Sequence, residues 1–113
     1  MSTDDMTPTR SDYEAAARAA GLRIEWIEDA GAAIIVNADG TRGAWWDPIH
    51  DDGDSRRLQV AARIGIRFEG NIVFAFRGLS PWLPVVLGTD PCAAAREAVW
   101  RVAVMVGKEM KDA

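Results

Sequence analysis

The sequence predicts one α+β domain, a sandwich in which a mainly antiparallel sheet lies between helix layers in the order α-β-β-α-β-β-(β)-α. Three observations lead there. A capped, alanine-rich segment opens the chain and a long segment of helical apolar periodicity closes it. Between them, runs rich in β-branched and aromatic residues are punctuated by glycine, asparagine and aspartate. The run Ile72 to Phe76 is apolar at every position, which predicts a strand covered on both faces. With 113 residues, 49% hydrophobic and 27% charged, the chain has enough apolar material for one core and too little for two. The domain is expected over 11–113, preceded by a polar, flexible tail over 1–10 (MSTDDMTPTR).

Each element has its own signal. Ser11 and Glu14 have the spacing of a capping box, and Gly21 is a natural helix stop, so the first helix is expected from Asp12 to Ala20. LRIEWIE (22–28) and AAIIVN (32–37) flank the turn residues Asp29, Ala30 and Gly31 and read as a hairpin, closed by the turn NADG. Leu58, Ala61, Ala62 and Gly65 share one helical face, which predicts a second helix from Ser55 to Ile64. IRFE and NIVFAFR form strands across Gly70 and Asn71, and WLPVVLG is a short edge strand because Pro84 has no N–H for a central ladder. The closing segment TDPCAAAREAVWRVAVMVGKEMK starts at a Thr89 or Asp90 cap with Pro91 in the first turn. Its stripe Ala95, Ala98, Val99, Val102, Met105 and Val106 docks it on the sheet.

Composition excludes several classes. One cysteine, Cys92, cannot make an internal disulfide framework, so a reducing compartment fits. The longest apolar run, Trp82 to Gly88, is broken by Pro84 and falls well short of the roughly 20 residues that span a bilayer. The first ten residues lack the basic start and apolar stretch of a secretory signal. No membrane association is expected, and the bacterial cytoplasm is the expected location. The net charge of −4, from thirteen basic and seventeen acidic residues, gives no global field towards phosphate backbones, so nucleic acid is not favoured as a partner. Eleven of the thirteen basic residues are arginine and alanine occurs nineteen times, the bias of a GC-rich genome such as that of a bacterium or its phage.

The chemistry-bearing residues concentrate in WWDPIHDDGDSRRL, Trp45 to Leu58, which holds four of the seventeen acidic residues and the only histidine. Trp45, Trp46, Asp47, His50, Asp51 and Asp54 form a candidate binding loop. Calcium loops need acidic residues at alternate positions with glycine sixth, and placing Gly53 sixth puts Pro48 first. Zinc needs more than one His or Cys. Asp52 or Asp54 as the cap of the second helix, with the remaining carboxylates at its positive pole, accounts for the loop at lower cost. No metal site and no catalytic residue is therefore assigned. No cofactor is expected either, because Gly40 to Gly43 lacks the spacing and lysine of a phosphate loop. A His50–Cys92 nucleophilic pair lies in no motif, and Cys92 reads as a small buried filler. Arg56, Gln59 and Arg63 lie opposite Leu58 and read as a solvated face.

The segment WDPIHDDGDSRRLQVAARIGI resembles small phage and prophage proteins of the phage ABA sandwich family, and TDPCAAAREAVWRVAVMVG is similar, more weakly, to that family's ending. The resemblance implies a helix-sheet-helix sandwich of phage or prophage origin with no assigned activity and no catalytic residues to carry over. The expected function is thus a small accessory protein acting through contacts with a host or phage protein. The alternative is a small-ligand or metal-dependent enzyme centred on Trp45 to Asp54. On the last helix, Trp100 and Val104 fall outside the docking stripe and, flanked by Arg101, form a patch that either is a candidate interface for a homodimer or is covered within one chain by loops such as Trp82 to Leu87.

Overall fold

The computed structural model describes residues 7–112, so most of the expected tail, residues 1–6, lies outside it. The protein is α+β and forms a single domain with the order α1 (Arg10–Ala20), β1 (Ile24–Ile27), β2 (Ala32–Val36), β3 (Arg42–Trp46), α2 (Asp52–Ala61), β4 (Gly65–Glu69), β5 (Ile72–Phe76), β6 (Leu83–Val86) and α3 (Pro91–Asp112). All strand pairs are antiparallel. The strands divide between two three-stranded sheets, β1-β2-β3 and β4-β5-β6, rather than forming one.

The helices begin where carboxylates or hydroxyls satisfy free N–H groups. α1 starts two residues before the expected position: Thr9 is the N-cap, Asp12 completes the capping box, and Gly21 ends the helix at φ 70°. Asp12 competes successfully with the expected Ser11 box because it reaches back to the Thr9 N–H at 3.0 Å. α2 is capped by Asp51, whose Oδ2 accepts the Asp54 N–H at 2.8 Å, so neither Asp52 nor Asp54 is the cap. It ends early because Arg63 adopts a left-handed φ of 59° and turns the chain into β4. Arg77 Nε then donates to the Ala62 carbonyl at 3.0 Å, placing a cation at the negative pole of α2. Asp90 caps α3 by accepting the Ala93 N–H at 3.1 Å.

β3 is the element that the strand signals miss. The NADG turn leads into it, with Asp39 Oδ1 accepting from the Thr41 N–H and hydroxyl, contacts that hold the Asp39 carboxyl below its ordinary pKa. Gly43 sits where the register with β2 shifts, and a Cβ there would stand 2.9 Å from Asn37 Oδ1. Residues 42–44, Arg-Gly-Ala, lack the β-branched character of a strand, and pairing with β2 imposes the extended conformation.

Both sheets share α3. β4, β5 and β6 lie against it, with Val73 and Ala75 fully buried on that side. Towards the first sheet α3 presents Trp100, whose ring meets Tyr13 of α1 edge-on at 4.8 Å and Trp46 of β3 at 6.2 Å. Tyr13 also packs on Trp26 of β1 at 5.3 Å, so four aromatic rings from four elements form one side of the core. Contrary to expectation, the second β-strand run is covered on one face only: Ile72, Phe74 and Phe76 remain half-buried.

α1 and α3 approach closely. Ala15, Ala16 and Ala17 are buried on α1, facing a helix whose Ala103 and Gly107 are buried in turn. A Cβ on Gly107 would overlap the Ala15 carbonyl group and lie 2.8 Å from Ala15 Cα. Arg18 Nε secures the same junction by donating to the Gly107 carbonyl at 3.1 Å. Among the described residues no helix is long and apolar enough to cross a membrane.

Candidate functional site

The loop after β3 is built around carboxylates that organise backbone. Alternation along β3 sends Trp46 into the core and Trp45 outwards, where it is 54% exposed. Asp47 then accepts the Tyr13 hydroxyl on Oδ1 at 3.3 Å and contacts His50 Nδ1 through Oδ2 at 2.9 Å. Its own N–H donates to Asp54 Oδ2 at 2.9 Å, and Arg57 donates to the other Asp54 oxygen at 2.7 Å. Asp54 is buried with both oxygens engaged, which is the condition for placing a carboxylate there. Asp52 pairs with Arg96 at 2.6 Å, and Arg96 Nε donates to the Ile49 carbonyl, tying the loop to α3. Asp52 holds the Arg96 guanidinium pKa above its ordinary value.

The six candidate loop residues thus separate by role. Trp46 is core, Asp47, Asp51 and Asp54 shape the entry to α2, His50 projects into solvent from Asp47, and Trp45 lies on a sheet face. Among the described residues, no group of three or more His, Cys, Asp or Glu side chains is arranged to hold a metal ion. Replacing Asp51 with alanine is expected to lower stability by about 1 kcal/mol, because the Asp54 N–H loses its acceptor. Chemical denaturation of the variant checks this: a midpoint equal to that of the parent would mean that Asp51 does not cap α2.

Tyr13 reports on the same network. Burial, reinforced by the negative charge of Asp47 and the hydrogen bond to it, raises the Tyr13 hydroxyl from its ordinary 10.0 to about 12. The folded chain keeps this proton at pH values where the unfolded chain loses it. The stabilisation is therefore fully present below pH 10.0 and is lost as the pH approaches about 12. Tyr13 is the only tyrosine, so ultraviolet titration of tyrosinate reads it directly. Asp47→Asn is expected to bring the pKa only part of the way back, since burial is the larger cause. A wild-type titration at 10.0 would contradict the buried contact.

Two further residues are placed differently from their sequence reading. Cys92 is exposed rather than a buried filler. It lines an open cleft of about 200 Å³ with Asp52, Gln59 and Arg96, while His50 is held by Asp47. Trp100 is 6% exposed within the single chain, packed against Tyr13 of α1 and Trp46 of β3. Val104 and Arg101 are half-buried, and Arg101 pairs with Glu97 at 2.7 Å. With Trp100, Ile49 and Asp12 they line a cleft of about 270 Å³, slightly below the roughly 300–1,000 Å³ of small-molecule pockets.

What the sequence reading does not single out is the outer face of each sheet. Register and alternation place Glu25, Ile27, Ile34, Val36, Arg42 and Trp45 together on the first. Ile27, Ile34 and Val36 are half-buried beside Trp45, and Arg42 grips Glu25 with two hydrogen bonds of 3.0 and 2.7 Å. That grip lowers the Glu25 pKa and raises that of Arg42. Alternation within β2 is the signal for this face, but its aromatic member belongs to the unrecognised β3. Comparison of the chain with family models, curated proteins and solved structures finds no match.

Proposed function

We propose that this chain is a small phage- or prophage-encoded interaction protein of the bacterial cytoplasm, binding a host or phage protein through the Trp45 face of the first sheet. The observation that carries the reading is the composition of that face. A tryptophan 54% exposed shares the face with three half-buried aliphatic side chains, and the charges of the same face are already paired with each other. An apolar centre with an aromatic anchor and a neutral polar margin is what a protein interface requires. The carboxylates of the neighbouring loop favour binding over catalysis, since hydrogen bonds to backbone and arginine occupy them. Phage origin rests on the resemblance of the Trp46 to Ile66 and Thr89 to Gly107 segments.

A photo-crosslinking amino acid in place of Trp45 tests this in bacterial cells carrying the phage or prophage. A discrete cross-linked protein is expected, and it should disappear when Ile34→Lys places a charge in the middle of the face. Absence of any discrete product, combined with a melting temperature raised several degrees by magnesium, calcium, zinc or a nucleotide, would overturn the reading in favour of the ligand-dependent alternative.

A further inference from the structure

The second sheet also has an outer face that is apolar and carries one self-paired arginine and glutamate. Direct cross-strand partners share a face, so Ile72 lies beside Val86 and Glu69, and Phe74 beside Pro84 and Arg67. Phe76 lies across Gly65, where a Cβ would meet its ring at 2.6 Å, and the missing side chain lets the ring lie flat on the sheet. Trp82 stacks on Phe76 at 4.5 Å and tilts against Phe74 at 5.9 Å, so an aromatic strip crosses the sheet. Trp82 is 42% exposed, Val86 63%, and Leu79 at the tip of the β5–β6 loop is completely open. α3 occupies the opposite face, and among the described residues no other element packs extensively on these strands.

The charges on this face balance. Arg67 and Glu69, two residues apart on β4, pair at 3.1 Å, and the Arg67 guanidinium lies 5.9 Å from the Trp82 ring centroid. Arg77 turns away to the Ala62 carbonyl. The net charge of −4 is therefore carried elsewhere, and the face itself is neutral.

We infer that the outer face of β4-β5-β6 binds the same face of a second copy of the chain, forming a two-fold homodimer. An isologous contact requires a surface complementary to itself. This one qualifies, because the apolar strip meets an apolar strip and Arg67 of each copy can exchange its Glu69 for that of the other. A polyanion would find one arginine facing one glutamate, and a strongly charged protein would find no complement. Strand spacing and rise make the face about 15 by 17 Å. On that footprint two copies bury on the order of 500–600 Å² in total even with Leu79 added, below the roughly 1,200 Å² of a stable specific interface and in the range of a weak, transient one. The dimer is accordingly a weak one that forms only as the protein concentration rises. The inference uses a different face from the proposed partner site and does not depend on it.

Sedimentation velocity over a wide concentration range tests the dimer, with circular dichroism and thermal melts showing that each variant folds. The wild type is expected to move from monomer to dimer mass as concentration rises. Arg67→Glu and Glu69→Arg each create a like-charged face and should weaken self-association at least about tenfold, whereas an equimolar mixture of the two should form heterodimers. Both positions are solvent-exposed, so the variants keep the core. Leu79→Asp should also produce folded monomers. A wild type that remains monomeric at the highest concentration overturns the dimer while leaving the Trp45 crosslinking result unaffected. Dimers that persist in both charge variants and in Leu79→Asp overturn the assigned face.

Discussion

Gly107→Ala is expected to destabilise the fold by about 3 kcal/mol or more, the upper end of overpacking costs. In an isolated helix the same change adds stability, since alanine exceeds glycine in helix propensity by about 1 kcal/mol. The sign reverses here because the new methyl group would overlap the Ala15 backbone carbonyl, and backbone on a packed helix cannot swing aside like a side chain. α1 and α3 must separate, breaking the Arg18 contact to the Gly107 carbonyl and loosening the Tyr13–Trp100 pair. Urea denaturation monitored by tryptophan fluorescence measures the effect. A variant as stable as the parent, or more so, would mean that the helices do not meet at this point.

Trp100→Ala is expected to cost about 3–5 kcal/mol, and Trp100→Glu to leave the chain unfolded. The indole is 6% exposed between Tyr13 and Trp46, so alanine leaves a cavity that rigid aromatic neighbours fill poorly. Glutamate places an unpaired charge in the region where α1, β3 and α3 converge on aromatic rings. A folded, monomeric Trp100→Glu protein would contradict this placement and return Trp100 to the surface of α3. A homodimer held through that helix would then regain its aromatic centre.

The misassignment of Trp100 has an instructive cause. Helical spacing correctly separates Trp100 and Val104 from the stripe that docks on the second sheet. It does not tell a second exposed patch from a second buried one. α3 is apolar around most of its circumference because it is packed from two sides, by the second sheet and by α1 with Trp46. The expectation for Ile72 to Phe76 errs in the opposite direction: a run apolar on both faces suggests double burial, yet only Val73 and Ala75 are enclosed. Both errors concern what lies beyond an element, which periodicity within that element does not encode.

The loop from Trp45 to Asp54 shows the same division at the level of single residues. Its role as the entry to α2, and the use of carboxylates as caps, are legible in a cluster of aspartates just before a helical pattern. Which aspartate caps is settled by backbone geometry, since Asp51 has the extended φ and ψ of an N-cap while Asp52 and Asp54 already lie within the helix. That frees Asp54 to bind the Asp47 N–H and Arg57, and Asp52 to reach Arg96 on α3 across 44 residues of sequence.

By itself the sequence determined the α+β class, three helices with their approximate limits, five of six strands, and an edge position for the strand containing Pro84. These follow from local physics: caps, left-handed stops, side-chain periodicity and the missing proline N–H act within a few residues. Only the tertiary structure decided that residues 42–46 form a strand, that the strands split into two sheets sharing α3, that Trp100 is enclosed, and that Trp45 and Trp82 face outwards. Those outcomes depend on which distant surfaces meet, and burial energy is assigned by that meeting rather than by any residue's own chemistry.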